Sequence, residues 1–296
     1  MNSRDIQEEP KIKKGYLEDM YSLQKSLLKH YQEIENLPSY PVDVNTKSSQ
    51  ILLKDFTARI IEELAEGFES HLSVVDSTVK NCYWDKIETG DTPIESYEAM
   101  LNDLQNIGEE QSDALHFFME LLIYANIGPE DLASYLQTKY NVRINSRDDF
   151  DLLTSIQHIG ESIIKHRYPQ VSQMNPMNVI DVIKPKLFNH PDLSTPHKDL
   201  RFFICGCEVN LSMMPFYKQI LWDITYHLNI SRNFLKNKPW KQSEVMTQEL
   251  AYQRELVEAF ILFIGYLGTM QCIPQQIYFL YFKKNKINEF RIKSKY

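Results

Sequence analysis

Two pairs of acidic residues stand at helical spacing in this chain. Glu63 and Glu66 lie three apart in EELAE, and Glu110 and Asp113 lie three apart in EEQSDALHFF. On a helix, residues i and i+3 share a face, so each pair can offer two carboxylates to one ligand. If the two faces oppose each other, four negative charges repel unless cations neutralise them. Hard divalent ions that prefer oxygen suit such a site, Mg²⁺ first and Mn²⁺ as a substitute. Such an ion withdraws charge from phosphate oxygens and acidifies water. A single E-x-x-E is usually only a solvated helix face. Here His116 and Phe117 follow Asp113 by three and four residues, placing an imidazole and a stacking ring on the same face. That is the equipment of a nucleotide pocket.

A cationic motif closes the sequence, IYFLYFKKNKINEFRIKSKY. Lys284, Asn288 and Arg291 recur at helical spacing on one face. Arginine offers a two-pronged fork for phosphate and lysine a point charge. Asn288 both donates and accepts, which suits a pyrimidine edge. A basic solubilising tail is the plain alternative.

The elements that must position these groups read as helices. Leu17, Met20, Tyr21, Leu27, Leu28, Tyr31 and Ile34 keep helical spacing up to Pro38 and Pro41. A second stripe runs through Leu52, Leu53, Phe56, Ile60, Ile61, Leu64 and Phe68. Long helical stretches cover about 94–126 and 243–270, and helices start at Pro129 and Pro274. Prolines 169, 176, 185, 191 and 196 break residues 141–199 into short pieces, expected to be an irregular helical insertion. The expectation is an all-α single domain over 1–296, with its core at about 14–140 and 200–296. One internal echo appears: Glu110, Asp113, Pro129 and Lys139 are matched 145 positions on by Glu255, Glu258, Pro274 and Lys284. A duplication whose second acidic site has decayed would explain it, as would chance.

The chain has 296 residues, a formal charge of −8 and 9 glycines. Average usage near 7% predicts roughly twenty. Neither G-x-G-x-x-G nor a P-loop motif is present, so phosphates are not held by a glycine-rich backbone cradle. The four cysteines have no zinc-ligand spacing and read as reduced thiols. The apolar run at 259–273 is shorter than a bilayer span and reads as a buried helix. A cytoplasmic protein is expected, with no membrane partner and no nucleic acid bound.

These motifs, in this order, resemble the dimeric-type dUTPases, including the phage dCTPase–dUTPases, within the all-α NTP pyrophosphatase superfamily. ELAE at 63–66 resembles the family's E-x-x-E, and EQSDALHFF at 110–118 its E-x-x-D-x-x-H-F. KNKINEFRIKSKY at 284–296 is similar to its closing K-N-x-x-N-x-x-R-x-x-x-G-Y, with Lys295 in place of the glycine. LQKSLL at 23–28 resembles its early L-Q-x-x-L-N helix, with leucine for the asparagine. Trp84 and Lys86 sit where the family carries a Trp-rich loop.

The resemblance implies a helical bundle of that superfamily. It also implies a Mg²⁺-dependent hydrolysis of dUTP, and also of dUDP or dCTP, the triphosphates giving the monophosphate and pyrophosphate, carried out by a homodimer. Glu63, Glu66, Glu110 and Asp113 would ligate metal and position water. Lys284, Arg291 and Tyr296 would hold phosphates. Gln24, Trp84, Lys86, His116, Phe117, Asn285 and Asn288 would shape the substrate site. The alternatives are a pyrophosphatase for another or modified nucleotide, or a non-catalytic nucleotide- or partner-binding protein of the same fold.

Overall fold

A computed structural model describes residues 10–80, 94–142, 151–173, 213–236 and 247–294. Eight helices occur among them: α1 (Tyr16–Glu35), α2 (Lys47–Lys80), α3 (Ile94–Tyr124), α4 (Pro129–Tyr140), α5 (Leu152–Arg167), α6 (Met214–Phe234), α7 (Glu249–Thr269) and α8 (Pro274–Ser294). A 3₁₀ turn follows α5 at Pro169–Gln173. No strand occurs among the described residues, so the chain is all-α.

Local chemistry fixes the helix ends. Thr46 starts α2: its Oγ1 accepts the Ser49 N–H at 3.3 Å, satisfying one of the exposed first-turn donors. At α4, Asp131 accepts the Gly128 N–H at 2.8 Å and Pro129 occupies the first turn, where its missing N–H costs nothing. Asn36 and Asn141 end α1 and α4 in the left-handed conformation that asparagine tolerates better than most residues.

The packing makes sense of the internal echo. α3–α4 and α7–α8 are matching helix–turn–helix corners, the second bending by 107°. Their turns place Asn126 and Gln271, 145 positions apart, at φ 57° and 61°. Ile127 N–H bonds Leu122 O at 2.9 Å, and the matching Cys272 N–H bonds Leu267 O at 3.1 Å. A side chain seals each turn: Tyr21 of α1 donates to Ile127 O and Gln157 of α5 donates to Cys272 O, both at 2.8 Å. Phe118 stacks on its own counterpart Phe263, ring centroids 4.9 Å apart. A residue that meets its own equivalent lies on a twofold relation, so α1–α4 and α5–α8 form an approximate internal repeat with its axis at this pair.

The reciprocity extends to charge. Lys284 of α8 pairs with Asp113 of α3, and Lys139 of α4 pairs with Glu258 of α7 at 2.6 Å. Each half therefore supplies the cation for the other half's acid.

Residues 152–167, within the stretch expected as an insertion, form a regular helix in the core. Leu153 and Ile156 are fully buried. α5 crosses α7 in backbone contact. A Cβ on Gly160 would lie 2.7 Å from the Gly265 Cα, and one on Gly265 would overlap the Gly160 carbonyl carbon. Only paired glycines permit that approach. Residues 174–199 of the stretch lie outside the described residues. Gly108, a weak point by propensity, sits buried inside an unbroken α3.

Candidate metal and nucleotide site

α2 and α3 pack along their length and bring Glu63, Glu110 and Asp113 together. One carboxylate oxygen from each lies within 4.8 Å of the others, close enough to share one ion. Glu66, the fourth acid of the predicted constellation, is exposed at the rim and outside this triad. Its charge still reaches Glu63 and Glu110.

The triad's electrostatics are those of a site short of positive charge. Burial, then Asp113, then Glu110 and Glu66, push the Glu63 carboxyl up to about 8. Burial also raises Glu110, despite the hydrogen bond it accepts from Glu63. Glu63 thus holds a proton and shares it with Glu110, as like carboxylates in contact must. Burial raises Asp113 too, against the opposing pull of Lys284 and Arg291. Lys284 Nζ sits 2.5 Å from Asp113 Oδ1 and 2.6 Å from Oδ2. Both carboxylate oxygens are therefore engaged by one ammonium.

Beside the triad opens a cavity of about 370 Å³. Glu63, Asp113, His116 and Phe117 line it from α2 and α3, and Lys284, Asn288 and Arg291 line it from α8. Three groups of residues singled out in the sequence, separated by up to 228 positions, thus face one space. His116 is fixed: its ring stacks on Tyr281 at 4.2 Å and its Nε2 bonds the Tyr281 carbonyl at 3.1 Å. A carbonyl can only accept, so Nε2 carries the proton. Burial holds the ring neutral, lowering its pKa to about 3.

The other predicted residues are placed differently. Gln24 is fully buried, donating to Glu120 at 2.9 Å and accepting from the Tyr281 hydroxyl at 2.5 Å. It is used within the wall and does not line the cavity. Asn285 is likewise buried and does not line the cavity. Trp84, Lys86 and Tyr296 lie outside the described residues.

The sequence reading missed Asp55, Phe56, Arg59 and Glu120, which also line the cavity. The Arg59 guanidinium stands 5.5 Å over the Phe117 ring while its Nε donates to Asp55 at 3.0 Å. Helical spacing could have found three of them: Arg59, Phe56 and Asp55 precede Glu63 by four, seven and eight residues on one face of α2.

The repeat supplies an internal comparison. At the matching place, Glu258 is buried and takes Lys139, with the Tyr135 hydroxyl at 2.5 Å and the Tyr140 hydroxyl at 3.0 Å. Burial alone would push its pKa up, but these partners together hold it below the ordinary carboxyl range. Glu255, the counterpart of Glu110, faces His227 of α6 at 2.7 Å. Where the first site sets carboxylate against carboxylate, the second sets acid against base. Only the first gathers three acidic oxygens around one point among the described residues.

No single described helix is long and apolar enough to cross a membrane. No family model, curated protein or solved structure matches this chain.

Proposed function

We propose that this protein is a Mg²⁺-dependent pyrophosphohydrolase of deoxypyrimidine nucleoside triphosphates, converting dUTP or dCTP to the monophosphate and pyrophosphate. The reading is supported by one observation above the rest: two acids of the triad, Glu63 and Asp113, share a single cavity with two phosphate-seeking cations and a stacking ring. It also accords with the ordered resemblance of the three motifs to the dimeric-type dUTPases.

In this reading Glu63, Glu110 and Asp113 would hold the ion, and their donor set fits it: three carboxylates at oxygen-sharing distance, short of positive charge. A bound divalent ion supplies Lewis acidity and neutralises charge on the phosphates. The chain's own groups do the rest. Lys284 and Arg291 grip the polyphosphate and stabilise the charge that shifts onto departing pyrophosphate. Phe117, backed by Arg59, offers a face to the sugar or base, and Asn288 offers both a donor and an acceptor. Glu63 and Glu110, which share a proton in the metal-free protein, would act as carboxylates to receive one from the attacking water.

The test is a panel of nucleotides with Mg²⁺, assayed for pyrophosphate. Release from dUTP or dCTP is expected. Silence on dUTP, dUDP and dCTP alike refutes the proposal, and turnover of purine or modified nucleotides alone would redirect it to a different pyrophosphatase.

A further inference from the structure

We propose that Lys284 is a placeholder for the metal ion, so that metal and polyphosphate enter the site together rather than one after the other. The inference rests on the triad being the metal site.

An ion held by Glu63, Glu110 and Asp113 needs an oxygen of Asp113. Both of those oxygens lie within 2.6 Å of Lys284 Nζ. The ion and the ammonium therefore compete for one carboxylate. Lys284 is also largely buried, its side chain 17% exposed, and it lines the cavity beside Arg291. Once displaced, it cannot reach water at no cost: a largely buried ammonium without a counter-ion is unfavourable. A phosphate in the cavity supplies that counter-ion within the swing of one flexible side chain. Metal entry creates a vacant cation for the phosphate, and phosphate entry draws the cation off the metal's ligand. Each ligand must then strengthen the other by the same factor.

The second half shows what a permanent version looks like. Lys139 holds Glu258 in the matching pair, but two tyrosine hydroxyls bond the same carboxylate and His227 Nδ1 lies 2.7 Å from Glu255. Asp113 has no tyrosine of this kind at its matching positions, where Leu280 and Asn285 stand. The first pair is the one built to part.

The experiment measures Mn²⁺ binding to the full chain by electron paramagnetic resonance, with and without methylenediphosphonate. Wild type is expected to bind Mn²⁺ weakly alone and about tenfold or more tightly with the diphosphonate. Lys284→Gln is expected to bind Mn²⁺ alone about tenfold more tightly than wild type, as loss of an adjacent like charge requires. Arg291→Gln, which removes a charge farther from Asp113, should tighten it less than about twofold. A Lys284→Gln protein that binds Mn²⁺ no better than wild type overturns the proposal while leaving the metal site intact. Equal tightening in both variants overturns it too, since a diffuse field would then suffice. If Lys284→Gln does not fold, wild type decides alone: no tightening by the diphosphonate refutes the coupling. No Mn²⁺ binding by any form, with or without the diphosphonate, refutes the metal site itself and the placeholder with it.

Discussion

The affinity of the triad for a divalent ion should depend steeply on pH, and the structure sets the window. Glu63 is pushed up to about 8, so in the metal-free protein it carries a proton at neutral pH. An ion binds the carboxylate, not the acid, and must expel that proton. With a pKa near 8 the carboxylate fraction falls from about a half at pH 8 to about 1% at pH 6, a loss of roughly fiftyfold in apparent affinity. Glu110 and Asp113 are raised as well, so the measured slope should be at least this steep. Calorimetry with Mn²⁺ at pH 6, 7 and 8, in two buffers of different ionisation enthalpy, reads both the affinity and the proton released.

The same shift acts on stability with the opposite sign. A folded-state pKa above the unfolded one means that the folded protein binds the extra proton between roughly 4.5 and 8. The metal-free protein should therefore lose stability as pH rises through that window, and the ion should restore it. Affinity that stays within twofold from pH 6 to pH 8 would refute the reasoning. So would a Glu63→Gln protein that binds Mn²⁺ with the wild-type slope.

Other outcomes follow from the same geometry. Glu110→Gln should abolish Mn²⁺ binding and turnover yet raise the thermal midpoint of the metal-free protein, because it removes one of three crowded carboxylates; a lowered midpoint would count against that crowding. Gly265→Ala should cost about 2 kcal/mol or more in urea unfolding: two backbones in contact cannot yield, and the gain of about 1 kcal/mol in helix propensity only partly offsets the overlap. A variant as stable as wild type would mean that α5 and α7 do not touch there. Tyr135→Phe should cost about 1.5 kcal/mol by deleting a hydrogen bond to ionised Glu258, with no change in Mn²⁺ affinity; a changed affinity would show that the second half takes part in metal binding.

The helices and the acidic pairs were legible because both depend on local spacing. The positions of Gln24 and Asn285 were legible too, had the stripe been given more weight than the motif. Gln24 falls on the row of Met20, Tyr21, Leu27 and Leu28, and Asn285 on that of Tyr278, Tyr281 and Phe282, so both amides point into the core. α5 was hidden for a different reason. The prolines after it suggest irregular chain, and its Gly160 looks like a flaw in a helix. Its place in the core depends on Gly265, more than a hundred residues away, and no local window relates the two. The pairing of Lys284 with Asp113 was hidden likewise. Spacing placed each on its own helix, but only the twofold relation of the halves aligns them across the bundle.

The crossed lysines also bear on how the chain matures during synthesis. α3 emerges with Asp113 facing a cation that lies 171 residues downstream on α8, and Glu258 must find a lysine made long before it. Neither half can settle its own charge, so the acidic cleft stays unfinished until α8 docks. A ribosome-bound fragment ending before Lys284 would carry the triad with no ammonium to balance it, and would gain the least from closing α2 onto α3. Completion of the acidic cleft and completion of the bundle are then one event.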